Sequence, residues 1–299
     1  MISASAGKAF FCPVCGRPHE KGHLDLSFDA GRFEIFRCPC GLGYSNYALD
    51  GNAPEIYDQK YYEHIRYKDP TAQKMYIDHL APYLEKAVSK AALPEKSKRI
   101  LDVGCATGDF LEYAVQTGWD AEGIDISEAS VAQTVRRGYN AMACSIDDLK
   151  AVNGVYDVIT LWDVIEHLPD MAGALEILNG KLSRDGIIVL KTVSRISVID
   201  FLARAVYRVS LNRAAGPLRR MYVPGHLFYF TPRTLERFIS RFGEVLFIEN
   251  ADTPSEALVA PGLVREGLRA VFWLQSAMGK TFELVAAYRR GHKVFKKNA

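Results

Sequence analysis

Ile100-Leu101-Asp102-Val103-Gly104-Cys105-Ala106-Thr107-Gly108-Asp109 reads as a buried apolar strand that runs into a turn of small residues and then into a helix. Small residues let the backbone approach a bound molecule closely, and a helix N-terminus offers N–H groups with no partner inside the helix. About twenty residues further on, Asp125 closes the next apolar run, AEGIDI, where a carboxylate can accept hydrogen bonds from both hydroxyls of a ribose. Turn and carboxylate together predict a nucleoside site.

Outward from this stretch the chain alternates. RILDV, AEGIDI, NAMAC, YDVITLW and GIIVLKTV are short apolar runs separated by helical stretches such as 109–116 and 127–137, and EVLFIE and TFELVAAY follow with a helix between them. The order predicts an α/β fold: a Rossmann-like, seven-stranded, mostly parallel sheet with helices on both faces. Upstream, a helix is expected over about 71–92, with Met75, Leu80, Tyr83, Leu84 and Val88 toward one side and Pro94 beyond its end.

Two cofactor types compete for such a turn. A dinucleotide fingerprint G-x-G-x-x-G beginning at Gly104 needs glycines at 106 and 109, where this chain has Ala106 and Asp109. A carboxylate at 109 would also repel a pyrophosphate at the helix start, whereas S-adenosylmethionine brings an ammonium and a sulfonium. The residues therefore favour the methyl donor.

Residues 102–111 resemble motif I of class I S-adenosylmethionine-dependent methyltransferases, written D-x-G-C-G-T-G-x-x-L. AEGIDIS resembles their second motif, while YDVITLWDVIEHLPD and GHLFYFTPRTLERFI resemble the ubiquinone-biosynthesis-like branch. The resemblance spans roughly residues 97–290 in order. It implies that Asp102, Gly104, Cys105, Ala106 and Gly108 face the methionine portion and that Asp125 holds the ribose. It further implies that Ile126 packs on adenine, that Ile146 and Asp147 flank its edge, and that Trp162 lies near the methionine. One departure is Ala106, where the family usually has glycine. An alanine is accommodated if its φ is negative, and binding is expected to survive.

Methyl transfer from a sulfonium is a direct displacement, so alignment does most of the work and a base is needed only when the acceptor must lose a proton. His167, at the end of the fourth strand, and His226, in GHLFYF, are the catalytic candidates; each can also serve simply to fix backbone. Asp163, Glu166 and His167 form D-x-x-E-H, similar to an acidic cluster that binds a divalent ion in some quinone O-methyltransferases, although the family pattern usually has Glu at the first position.

The first forty residues carry a different chemistry. Cys12-x-x-Cys15 and Cys38-x-Cys40 are 22 residues apart, and each pair adjoins a glycine where a tight turn can aim two thiolates inward. Four thiolates leave no open position, so a structural zinc in a zinc ribbon is expected, with His19 and His23 as substitutes should Cys38 or Cys40 not be a ligand. The expected organisation is a ribbon at 1–46, a tyrosine-rich connector and helix at 47–96, and a methyltransferase domain at 97–291. Inside the last, residues 195–224 hold six arginines against one aspartate, a net charge of +5. Ile199, Leu202, Val206 and Val209 recur there at helical spacing, with Arg204 and Arg208 elsewhere on the turn. Such a basic amphipathic segment can cap an acceptor pocket or lie on anionic lipid, a peripheral membrane contact. The segment is assigned to substrate selection. The helix around 263–278 is broadly apolar, which suits core, a dimer face or a membrane contact equally.

With 299 residues, 48% hydrophobic and 24% charged, the chain can bury a full core. The balance of 37 basic and 35 acidic residues argues against nucleic acid as a partner. No secretory signal and no long apolar run is evident, so a cytoplasmic protein is expected. The expected activity is methylation of a small-molecule acceptor on oxygen, quinone-like, saccharide or lipid-linked. The competing readings are a protein or RNA methyltransferase that uses the ribbon for recognition, and a non-catalytic zinc-containing binding protein. Oligomeric state is not legible.

Overall fold

Apolar runs too short for helices, bounded by glycine and polar turns, pair here into sheets. The computed structural model describes residues 10–19, 23–50, 70–94, 96, 99–251 and 262–291; the tyrosine-rich connector, EIYDQKYYEHIRYKD, lies outside them. The N-terminal part comprises β1 (Phe10–Phe11), β2 (Pro18–His19), β3 (His23–Phe28), β4 (Phe33–Arg37), β5 (Gly43–Ser45) and α1 (Asn46–Asp50). Helix α2 (Pro70–Ala91) follows, turning Leu80, Leu84, Ala87 and Ala91 into the core.

Then come β6 (Arg99–Val103), α3 (Asp109–Gln116), β7 (Asp120–Asp125), α4 (Glu128–Arg136), β8 (Asn140–Ala143), β9 (Tyr156–Trp162), α5 (Met171–Lys181) and β10 (Leu182–Val193). The chain continues through α6 (Val198–Val209), α7 (Gly216–Met221), β11 (Phe228–Tyr229), α8 (Pro232–Ile239), β12 (Gly243–Ala251), α9 (Gly262–Ala277) and β13 (Glu283–Arg290).

Seven strands form one sheet in the order β12-β13-β10-β9-β6-β7-β8. The five from β8 to β10 are parallel, and β13 is antiparallel to both its neighbours. The expected seven-stranded, mostly parallel sheet is thus observed. Burial on both faces explains the continuous apolar runs of its central strands. The strand order reverses between β6 and β9, and the crevice at the carboxyl ends of strands flanking such a reversal is where ligands bind in open α/β sheets.

A second sheet, ordered β11-β5-β4-β3, joins the cysteine-bearing segment to the chain that follows β10. Phe228 pairs with Tyr44 and Tyr229 with Gly43, and Phe36, Leu42 and Tyr44 share a hydrophobic core with Leu161 of the large sheet, with Phe230 just after β11 and with Phe238 on α8. Charge reinforces the join. Asp25 on β3 receives Arg195 at 2.8 Å and Arg204 at 3.1 Å, while Arg204 also pairs with Asp200 at 2.9 Å. The Tyr222 hydroxyl donates to Asp200 at 2.7 Å, and Arg219 reaches Asp29 at 2.9 Å.

This arrangement corrects the sequence reading of α6. Arg204 does not face solvent; it is drawn inward by Asp25 and Asp200, and the apolar residues Leu202, Val206 and Val209 are the exposed ones. A periodic pattern shows which residues share a face, but it cannot show which face a neighbouring carboxylate will claim. Among the described residues no helix is long and apolar enough to cross a membrane.

Arg204→Ala would leave Asp200 and Tyr222 without their cation, and Asp25 with Arg195 alone, in a largely dry junction. It is expected to cost on the order of 3 kcal/mol in chemical denaturation. Arg219→Ala, at an exposed pair, is expected to leave the transition in place; equal losses for the two would contradict the junction described.

Candidate active site

The turn between β6 and α3 is built from left-handed residues. Gly104 has φ 79°, Ala106 φ 45° and Gly108 φ 86°. A Cβ on Gly104 would fall 2.6 Å from Val164 Cγ2 and one on Gly108 2.7 Å from Thr134 Cγ2, so both positions exclude a side chain as well as requiring the conformation. Ala106 contradicts the expectation of a negative φ. It is held at a positive one because its N–H donates to Asp125 Oδ2 at 3.0 Å and its carbonyl accepts from Thr134 Oγ1 at 2.8 Å. Such backbone costs about 1–3 kcal/mol and persists where its surroundings over-determine it.

Asp125, at the end of β7, also accepts the Ser127 N–H through Oδ1 at 2.8 Å. It therefore ties the turn to the start of α4. Asp102 is buried beneath the turn and accepts from Thr160 Oγ1 at 2.7 Å; burial pushes its carboxyl up to about 7. Asp109, the residue that spoils the dinucleotide fingerprint, is paired with Arg137 at 2.7 Å, so its charge is already met within the chain.

These residues line a cavity of about 1310 Å³, larger than the roughly 300–1,000 Å³ usual for a single small ligand. Asp102, Gly104, Cys105, Ala106, Asp125, Ile126, Ile146, Asp147, Trp162, His167 and His226 all border it, whereas Gly108 supports the turn from behind. Ile126 presents an exposed apolar side chain to the cavity, and the buried Trp162 indole N–H has no hydrogen-bond partner among the described residues.

The two candidate histidines meet on the wall of the same cavity, with ring centroids 4.7 Å apart. His167 Nδ1 lies 2.7 Å from the Gly225 carbonyl oxygen, which can only accept, so Nδ1 carries the hydrogen and Nε2 is the basic nitrogen. Burial lowers the His167 pKa, and burial together with the neighbouring His167 takes His226 well below the ordinary imidazole value. Glu166 is fully buried, accepts from Thr192 Oγ1 at 3.0 Å through Oε2, and has no partner for Oε1 among the described residues. Burial, assisted by the charge of Asp163, pushes its carboxyl up to about 8.

The D-x-x-E-H stretch does not converge as its spacing suggested. Asp163 turns to Lys191, whose ammonium lies 2.7 Å from it and 2.9 Å from Glu283, and accepts from the Tyr76 hydroxyl at 2.7 Å. Burial alone would raise the Asp163 pKa, but Lys191 holds it below the usual carboxylate range. The groups whose ligand atoms lie within 4.8 Å of one another are instead Glu166, His167 and His226. Lys191 was missed in the sequence reading. Its signal was a lone cation in the apolar run GIIVLKTV; only 1% of its side chain is exposed.

The four N-terminal cysteines also converge, with ligand atoms within 4.8 Å, Cys12 Sγ 3.7 Å from Cys40 and Cys15 Sγ 3.5 Å from Cys38. A tetrahedron with 2.3 Å metal–sulfur bonds has edges of about 3.8 Å, so the cluster has zinc dimensions. The Gly16 N–H donates to the Cys12 carbonyl and the Gly41 N–H to the Cys38 carbonyl, both at 2.8 Å. The second loop is one residue tighter, which is how the shorter cysteine pair still presents both thiols. His23 is exposed and outside this cluster, and the side chain of His19 is outside the described residues.

A family profile described as "Methyltransferase domain" matches residues 76–244, more than half of the chain. A ubiquinone biosynthesis O-methyltransferase of Bordetella avium is 26% identical over 137 residues, covering 44% of this chain and 57% of that protein. This chain therefore spans little more than half the length of such relatives. A methyltransferase from Archaeoglobus fulgidus, titled S-adenosylmethionine-dependent, is similar in fold, with a TM-score of 0.50 at 18% identity over 73% of this chain and 94% of that one. The plantazolicin methyltransferase BpumL, solved with S-adenosylhomocysteine, gives a TM-score of 0.53 at 15% identity over 82% and 96%.

At about pH 6.5, where a free imidazole is half protonated, nitrogen NMR is expected to find both His167 and His226 neutral, with His167 in the Nδ1–H form. Imidazolium signals for both would contradict this geometry.

Proposed function

Because the chain belongs to the methyltransferase-domain family of class I, S-adenosylmethionine-dependent enzymes, we propose that it methylates an oxygen of a small-molecule acceptor, quinone-like, saccharide or lipid-linked. The observation that carries this reading is one cavity lined both by the turn at Gly104 to Thr107 with Asp125 and by His167. S-adenosylmethionine supplies an electrophilic methyl group on a sulfonium.

The chain's own residues divide the remaining work. Asp125 accepts from the ribose hydroxyls through its carboxylate, Ile126 covers one face of the adenine, and Ile146 and Asp147 flank its edge. Asp102, Gly104, Cys105 and Ala106 face the methionine portion with Trp162 beside it, and Gly108 allows the turn. His167 Nε2 takes the proton from the acceptor hydroxyl as that oxygen bonds to the methyl carbon and the carbon–sulfur bond breaks. Glu166, held protonated near neutral pH, adds no charge that would turn His167 into an imidazolium. His226 packs against His167 and limits its rotation.

Residues 195–224 select the acceptor, since Arg220 and Met221 line the cavity. Cys12, Cys15, Cys38 and Cys40 hold a structural zinc that keeps β5 in register with β11. The name of the Bordetella avium relative supports an oxygen acceptor. The docking of the ribbon against the insertion favours a structural role for it over recognition of a protein or RNA.

Incubation with labelled S-adenosylmethionine and a fractionated lysate is expected to place label in a small-molecule or lipid fraction; label confined to protein or RNA would favour the competing reading. His167→Ala is expected to lower kcat by about 10²–10⁴-fold with cofactor affinity unchanged, and unaltered turnover would remove the base. Cys12→Ser is expected to lose zinc by elemental analysis and to melt earlier, whereas a zinc-free wild type would overturn the ribbon assignment.

A further inference from the structure

Helix α6 is inverted relative to an ordinary surface helix, whose apolar stripe faces the core. Asp200, Ala203, Arg204 and Tyr207 take the inward side, where Arg204 bridges Asp25 and Asp200 and the Tyr207 hydroxyl donates to the Ser27 carbonyl at 3.2 Å. The outward side, one helical face, carries Phe201, 70% exposed, and Val209, 85% exposed, with Leu202 and Val206 beside them. Leu211, 78% exposed, extends this surface beyond the helix end.

Helix α9 packs beside α6, and the Val198 N–H donates to the Lys280 carbonyl at 3.1 Å where the two segments meet. It adds Trp273, 73% exposed, with Leu274 and Met278. Single exposed apolar residues are ordinary, but this many on two adjoining helices mark an interaction surface.

Charge selects the occupant. Arg208, Arg213 and Lys280 are exposed around this surface with no acidic partner among the described residues, and the one aspartate of residues 195–224 is turned inward. Two copies meeting through this face would bring like charges together, whereas anionic headgroups would meet opposite ones. We propose that the α6–α9 face seats the protein on an anionic lipid bilayer, with Phe201, Val209, Leu211 and Trp273 entering the headgroup–acyl boundary. Helix α7, packed on α6, supplies Arg220 and Met221 to the cavity, so the docking face lies one helix from the acceptor site.

The test is sedimentation of the full chain with vesicles of equal parts phosphatidylglycerol and phosphatidylcholine, against phosphatidylcholine alone, with tryptophan emission recorded in parallel. Binding to the anionic vesicles is expected, with a blue shift that disappears in Trp273→Phe. Phe201→Asp combined with Val209→Asp is expected to lower the partition coefficient by more than about tenfold while the melting temperature holds. Absence of wild-type binding, or equal binding by the folded double variant, overturns the proposal. So does a lipid-free dimer that hides Trp273 and dissociates in the double variant.

Discussion

Two backbone N–H groups on separate loops converge on one carboxylate, that of Asp125, and the ligand-binding end of the sheet depends on that convergence. Through Ala106 the carboxylate stabilises a turn in which three residues out of five have positive φ; through Ser127 it fixes the start of the next helix. A turn of this kind would relax if it stood alone. With Thr134 bracing it from the following helix and Val164 closing over Gly104, its shape is set before any ligand arrives.

The histidine-bearing wall of the cavity is set by a longer-range constraint. Histidines 167 and 226 come together only because the chain after β10 folds over the sheet, and that excursion is pinned by the cysteine-bearing segment through β5–β11 pairing and the Asp25 junction. The same junction draws the polar side of α6 inward and turns its apolar side out. Burial of Arg204 and exposure of Phe201 and Val209 are thus two results of one electrostatic choice.

The sheet was legible because β6, β7, β9 and β10 are buried on both faces and their apolar runs are bounded by polar or glycine breaks. The cofactor turn was legible because small residues and a strand-end acid occur at a spacing that local geometry dictates. Other features depend on partners distant in sequence. Asp163 looked like a metal ligand until Lys191 met it from the neighbouring strand, and the basic insertion looked like a cationic surface until Asp25 and Asp29 matched three of its arginines. Ala106 shows the limit from the other direction, since residue type gave no hint that hydrogen bonds from two elements would hold an alanine in the left-handed region.

The central claim is that Asp125 and the Gly104–Gly108 turn hold S-adenosylmethionine. Calorimetric titration of the methyl donor into the wild type and Asp125→Ala, with melting curves to establish that both are folded, tests it most directly. The account requires saturable one-to-one binding by the wild type and its loss in the variant. Equal affinity in the two folded proteins would contradict it.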